Sequence, residues 1–236
     1  METFRILGLL LDYPNAEVVA AGPALIGRLA EEGLLHGDHL RALGLFVERR
    51  MTTDLLEIQE DYVHTFDRTR SHCLHLFEHV HGESRDRGTA MVALLQTYED
   101  RGLSPDSREL PDYLPLFLEF LSQCSPEEAR EFLGDAIAIV ALIGQRLRAK
   151  ASPYACVFDA LESLSDRAPD EVRVAALGHT AGERPDDRPD DRDEPDASRD
   201  ANSALETPCF PIGTASHPGA PSGGVSPSPL KAGGFQ

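Results

Sequence analysis

Five of the nine histidines fall between Tyr62 and Gly88, in YVHTFDRTRSHCLHLFEHVHGESRDRG, with one cysteine, four arginines and four acids. These residue types could do three kinds of chemistry. His72, His75 and His79 are spaced i, i+3, i+7, which on a helix is one face and half of a zinc site. Glu83 and Asp86, beside Arg85 and Arg87, could carry acid–base work. Polar groups at helix starts could instead orient a peptide, with Phe and Leu between helices accepting its apolar side chains. The metal reading lacks an HExxH order and a second ligand cluster, and Cys73 points about 100° away from His72 on a helix. The acid–base reading lacks a GxSxG, a P-loop, a GxGxxG or a nucleophile flanked by a base. Glu78, Glu83 and Asp86 can simply pair with Arg85 and Arg87 at the surface, for roughly 0–1 kcal/mol each.

The flanking sequence predicts the elements that hold this stretch. Phe4, Leu7 and Leu11 make one stripe of a first helix that stops near Pro14. Asn15 caps a second helix over Ala16–Gly33, which Pro23 should break or kink. Leu40, Leu43 and Val47 set the face of a third. Thr53 is expected to cap a fourth, where Leu55, Ile58, Tyr62 and Phe66 recur at helical spacing. Leu74, Phe77 and Val80 predict a short helix through the histidines, ended by Gly82 at positive φ. Ser84 then caps a helix buried through Met91, Leu94, Leu95 and Tyr98. In LPDYLPLFLEFL, Leu114, Phe117, Leu118 and Leu121 share a face, and Pro115 fits only in the first turn. That places Asp112 at or near the N-cap. Ser125-Pro126-Glu127-Glu128 is a capping box opening a long helix through Leu147, and Ser152-Pro153 opens a last one.

No segment alternates with period two between hairpin turns. The expected fold is therefore all-α, a single helical bundle of eight or nine helices over residues 1–165. From Asp166 onward lie ten of the seventeen prolines and the run ERPDDRPDDRDEPDASRD. Residues 166–236 are expected to be a disordered, acidic, Pro-rich tail in which a short helix survives at Asp170–Leu177. The formal charge is −18. Residues 1–165 hold 27 acids against 15 bases, so the helical part itself carries −12. Such a charge argues against nucleic acid and anionic membranes as partners. No run of 18 apolar residues and no basic leader is seen, and the four scattered cysteines suit a reducing compartment. A cytoplasmic location is expected.

FEHVHGESRDRG, an apolar helix and then RELPDYLPLFLEFL closely resemble the NarJ family, the assembly chaperones of respiratory nitrate reductase. That family is a branch of the TorD-like chaperones for molybdenum enzymes. The resemblance covers roughly Leu7 to Leu164 and includes Tyr62 and Phe66-Asp67-Arg68. The wider group's E-x-P-D-H motif reads Glu109-Leu110-Pro111-Asp112-Tyr113 here, with tyrosine at the usual histidine position. The resemblance implies a non-enzymatic chaperone that binds the apo catalytic subunit of nitrate reductase, including its N-terminal peptide. It would permit insertion of molybdenum cofactor and an iron–sulfur centre before membrane docking, and hold no cofactor or metal itself.

On that basis the client peptide is expected in a groove between the His79–Arg87 junction and the Asp112–Glu119 helix. Its residues would be Tyr62, Phe66, Phe77, His79, Glu83, Arg85, Arg87, Asp112, Tyr113, Leu116 and Glu119. The alternative function is a metal-responsive helical binding protein using the His72/His75/His79 face. A hydrolase of unrecognised type is a third.

Overall fold

The computed structural model describes residues 1–82, 84–105, 109–180 and 228–230. In chain order the α-helices are α1 Glu2–Leu11, α2 Ala16–Glu32, α3 Gly37–Thr52, α4 Leu55–Tyr62, α5 Glu78–His81, α6 Asp86–Glu99, α7 Leu114–Gln123, α8 Pro126–Ala149, α9 Ala155–Ser163 and α10 Glu171–Thr180. The protein is all-α, with ten helices among the described residues. Only Leu103–Pro105 (β1) and Ser228–Leu230 (β2) pair as short parallel strands.

The two most apolar helices, α1 and α7, lie against each other at the centre. Phe4, Leu7 and Leu11 are buried, as their spacing predicts, and every residue from Leu114 to Leu118 is too. Each such side chain contributes about 1.5–3 kcal/mol relative to exposure. α8 adds Ile137, Val140, Ile143 and Leu147, and α9 adds Val157, Phe158 and Leu161.

Pro23 does not break α2. The helix runs unbroken through it, with the ring exposed. Proline removes one backbone hydrogen bond there, but the helix is held against α1 and α3. The approach is closest at Gly22, where a Cβ would sit 2.4 Å from Val47 Cγ1. The fourth helix is capped by Asp54 rather than Thr53, since the Asp54 carboxylate accepts the Leu56 N–H at 2.9 Å. A short carboxylate is the stronger cap, and it sits one residue closer to the helix.

α4 continues into a π turn, Val63–Asp67, where the Arg68 N–H donates to the Val63 carbonyl at 2.9 Å. A 3₁₀ turn follows at Arg70–His72. Helical structure extends past residue 165: α10 packs on α8 with Val174 and Leu177 buried, close to the surviving helix expected at Asp170–Leu177. Within the tail expected to be disordered, Ser228–Leu230 also form β2, and the disorder expected over 181–227 and 231–236 falls on residues outside the described ones.

Candidate functional site

Residues 74–77 and 112–114 meet edge to edge. Leu76 N–H donates to the Asp112 carbonyl at 2.9 Å, and Leu114 N–H donates to the Leu74 carbonyl at 2.8 Å. This antiparallel bridge is centred on His75 and Tyr113, whose rings lie 5.4 Å apart. The two polar blocks singled out in the sequence are therefore in direct contact. The helix expected through the histidines does not form from Cys73 to Phe77. At His75 the backbone is drawn into the bridge because the residues leading into α7 supply its partners, Leu76 and Phe77 form a turn, and only the four residues of α5 are α-helical. Gly82 does end α5, at φ +52°.

Asp112 is completely buried. Its carboxylate accepts the Phe77 N–H at 3.1 Å and the His75 Nδ1–H at 3.3 Å, and the Arg87 guanidinium lies 3.6 Å away. It does not cap α7, whose N-cap residue is Tyr113 without a side-chain bond. Asp112 instead accepts from the N–H of Phe77, the residue before α5. The bridge accounts for the difference, because it directs the carboxylate across to the other strand. Arg87 also lies 3.6 Å from Glu78, which accepts Arg70 Nε–H at 2.8 Å. Burial alone would raise the Glu78 carboxyl. The Arg70 and Cys73 hydrogen bonds and the Arg87 charge outweigh it and hold the group below its ordinary range.

Tyr113 carries the junction to the end of α1. Its hydroxyl donates to Asp12 Oδ1 at 3.2 Å and lies 3.0 Å from the Tyr62 hydroxyl, which donates to the Leu11 carbonyl at 3.2 Å. Burial pushes both phenols well above their usual range, and it raises the Asp12 carboxyl as well. Phe66 packs edge-on against Tyr154 with ring centres 4.7 Å apart. Asp12 was not foreseen: an acid following an apolar helix gives no sign of a partner 101 residues away.

The histidines are occupied within the protein. His72 Nδ1–H donates to the Thr65 carbonyl at 3.2 Å and His79 Nε2–H to the Cys73 carbonyl at 2.8 Å. Burial lowers the pKa of His79. His72, His75 and His79 sit in a 3₁₀ turn, a bridge and a separate helix, so their spacing creates no common helical face. Among the described residues no group of three or more His, Cys, Asp or Glu could hold a metal ion. The metal-responsive alternative thus loses the geometry it relied on.

Of the residues expected to bind a client peptide, Tyr62, Phe66, Phe77, His79, Asp112, Tyr113 and Leu116 are buried. Arg87 and Glu119 are half-buried and Arg85 is exposed. Glu83 lies outside the described residues. Most of the expected peptide-binding residues therefore lie in the interior, and Arg85, Arg87 and Glu119 keep accessible surface. No described helix is long and apolar enough to cross a membrane.

Fold and junction together define an all-helical protein whose polar clusters hold helices together and whose histidines gather no metal-binding group among the described residues. A family model described as the nitrate reductase delta subunit matches residues 36–172, which take in the whole junction apart from Leu11 and Asp12. The chain belongs to that family. It is 46% identical over 170 residues to the nitrate reductase molybdenum cofactor assembly chaperone NarJ of Escherichia coli (strain K12), covering 72% of each chain. It is also 35% identical over 154 residues to the nitrate reductase-like protein NarX of Mycobacterium tuberculosis (strain ATCC 25618 / H37Rv). That match covers 64% of this chain and 22% of the other.

Proposed function

We propose that this protein is an assembly chaperone for a respiratory nitrate reductase. It binds the apo catalytic subunit, including its N-terminal peptide, and keeps it open for insertion of molybdenum cofactor and an iron–sulfur centre before membrane docking. It acts in the cytoplasm, without stable membrane association, and catalyses nothing itself. The observation that carries this reading is the 46% identity over 72% of both chains to a nitrate reductase molybdenum cofactor assembly chaperone.

The client peptide lies along the rim of the Asp112 junction, against Arg85, Arg87 and Glu119. The buried Tyr62, Phe66, Phe77, His79, Asp112, Tyr113 and Leu116 set the shape of that rim by locking α5 and α6 to α7. With −18 on the whole chain, a basic peptide is favoured and its association is salt-sensitive.

Two measurements test the two parts separately. The full chain should capture the apo catalytic subunit and restore nitrate reductase activity in cells lacking their own chaperone; failure of both removes the function. Calorimetric titration with the N-terminal peptide should then weaken about tenfold in Glu119→Arg, which sets a positive charge against a basic peptide. Unchanged affinity in a folded Glu119→Arg variant would move the peptide elsewhere while leaving the function standing.

A further inference from the structure

An open apolar surface lies away from the junction. A groove of about 610 Å³ runs between α2 and α3, with Pro23 and Ile26 on one wall and Leu40, Leu45, Val47 and Met51 on the other. Leu45 is 61% exposed and Met51 48%. Gly37 and Gly44 lie along the α3 wall, and a Cβ built on either meets nothing within 4 Å. An α3 backbone bare at two points and flanked by exposed Leu and Met is shaped to receive another helix at close range.

The charges on this face point to what that helix is. Arg41 and Glu48 both line the groove, seven residues apart on the same side of α3. Gly44 and Leu45 stand midway between them. Two copies of α3 laid antiparallel about a two-fold axis through that midpoint set Arg41 of each copy opposite Glu48 of the other. The same operation sets each Met51 over the bare backbone near Gly37. A surface whose positive and negative ends exchange under a two-fold rotation complements itself, which is what an isologous interface requires. Within the monomer Arg41 is held only by Asp38, 2.9 Å away, and both side chains are strongly exposed. Such a pair is weak and leaves Arg41 available.

We infer that the α2–α3 face is a homodimer interface in which two α3 helices pack antiparallel across Gly44, locked by two reciprocal Arg41–Glu48 ion pairs. The net charge of −18 on each copy opposes association. The dimer is therefore weak, and it forms at concentrations on the order of tens of micromolar. This interface uses none of the junction residues, so it stands apart from the proposed client site.

Sedimentation velocity of the full chain over a concentration series up to about 200 µM tests it. Wild type should shift from monomer to dimer. Arg41→Glu and Glu48→Arg should each weaken the dimer about tenfold or more by facing like charges twice, and the double swap should restore it. Leu45→Ser should weaken it without changing charge. Circular dichroism melts should be unchanged in all four, since these side chains are solvent-exposed. A wild type that stays monomeric throughout overturns the inference. So does a dimer indifferent to either single swap, or one that the double swap fails to restore. An amphipathic peptide that fills the groove of a strictly monomeric chain overturns it too.

Discussion

α8 and the segment from Tyr62 to Gly88 are held in place by opposite means. α8 is fixed from within. The Ser125 hydroxyl accepts the Glu128 N–H at 3.3 Å, Glu128 returns the bond to the Ser125 N–H at 3.1 Å, and Pro126 opens the first turn. Twenty-four residues of continuous helix then follow. The Tyr62–Gly88 segment is fixed from without. Its one complete α-helix, α5, has four residues, far below what holds together alone. Its decisive bonds come from Asp112, 35 to 37 residues further on. A region of the first kind tolerates changes elsewhere in the chain. A region of the second kind is only as ordered as the distant residue that holds it, and it opens together with the start of α7.

That contrast can be broken from either side. The largest effect is expected for Asp112→Ala, which strands the buried Phe77 N–H and removes the acid facing Arg87 and His75. The loss should be about 3–5 kcal/mol by chemical denaturation. Amide exchange should accelerate over residues 74–81 while α8 stays protected. Equal loss of protection in α8 would show that the two regions are one cooperative unit.

Next in size is Tyr113→Phe, which removes the donor to Asp12 and the partner of Tyr62. About 1–2 kcal/mol should be lost, and Asp12→Asn in the same background should add little because the two share one bond. Full additivity would mean the hydroxyl is not bonded to Asp12.

Ser125→Ala probes the other region. Removing the cap should cost about 1 kcal/mol and add independently to Asp112→Ala, since the two share no partner. Strong coupling between them would count against the separation drawn here.

The smallest effect near neutrality is a pH dependence. Burial lowers the pKa of His79 below its value in the unfolded chain, near 6.5. The unfolded state then binds the extra proton first. The stability tied to neutral His79 is complete above about pH 6.5 and is lost as pH falls toward the depressed value. Melts of wild type and His79→Gln at pH 8 and pH 5.5 should diverge only at the lower pH, with wild type falling faster. Parallel losses would assign the pH response to other groups.

What was legible in the sequence follows the same division. The capping box at Ser125, the stripe of α1, the first-turn position of Pro115 and the positive φ of Gly82 depend on neighbours within a few residues, and the structure has all of them. Of the break or kink expected at Pro23 the break is absent, because local rules count its lost hydrogen bond and not the contact between Gly22 and Val47 that holds α2 to α3. At the candidate site the residue types were readable and their partners were not. An aspartate before an apolar run looks the same whether it caps its own helix or reaches Phe77. Histidines at helical spacing look like one face until a strand from elsewhere takes their backbone.

The π turn at Val63–Asp67 bears on how this chain can change through descent. A π turn holds one residue more than an α turn over the same rise, so this segment contains a residue the helix could lose. An in-frame loss of a single codon here would leave a smooth α-helix running out of α4. Everything after it would be rotated by about 100° about that axis. Phe66 would turn away from Tyr154, and the backbone that now arrives beside Asp112 would arrive facing elsewhere. The same deletion at the exposed Ser84-Arg85 step ahead of α6 would only shorten a turn. Length variation among relatives should therefore collect just ahead of α6 and be absent from residues 63–67, although both lie between α4 and α6.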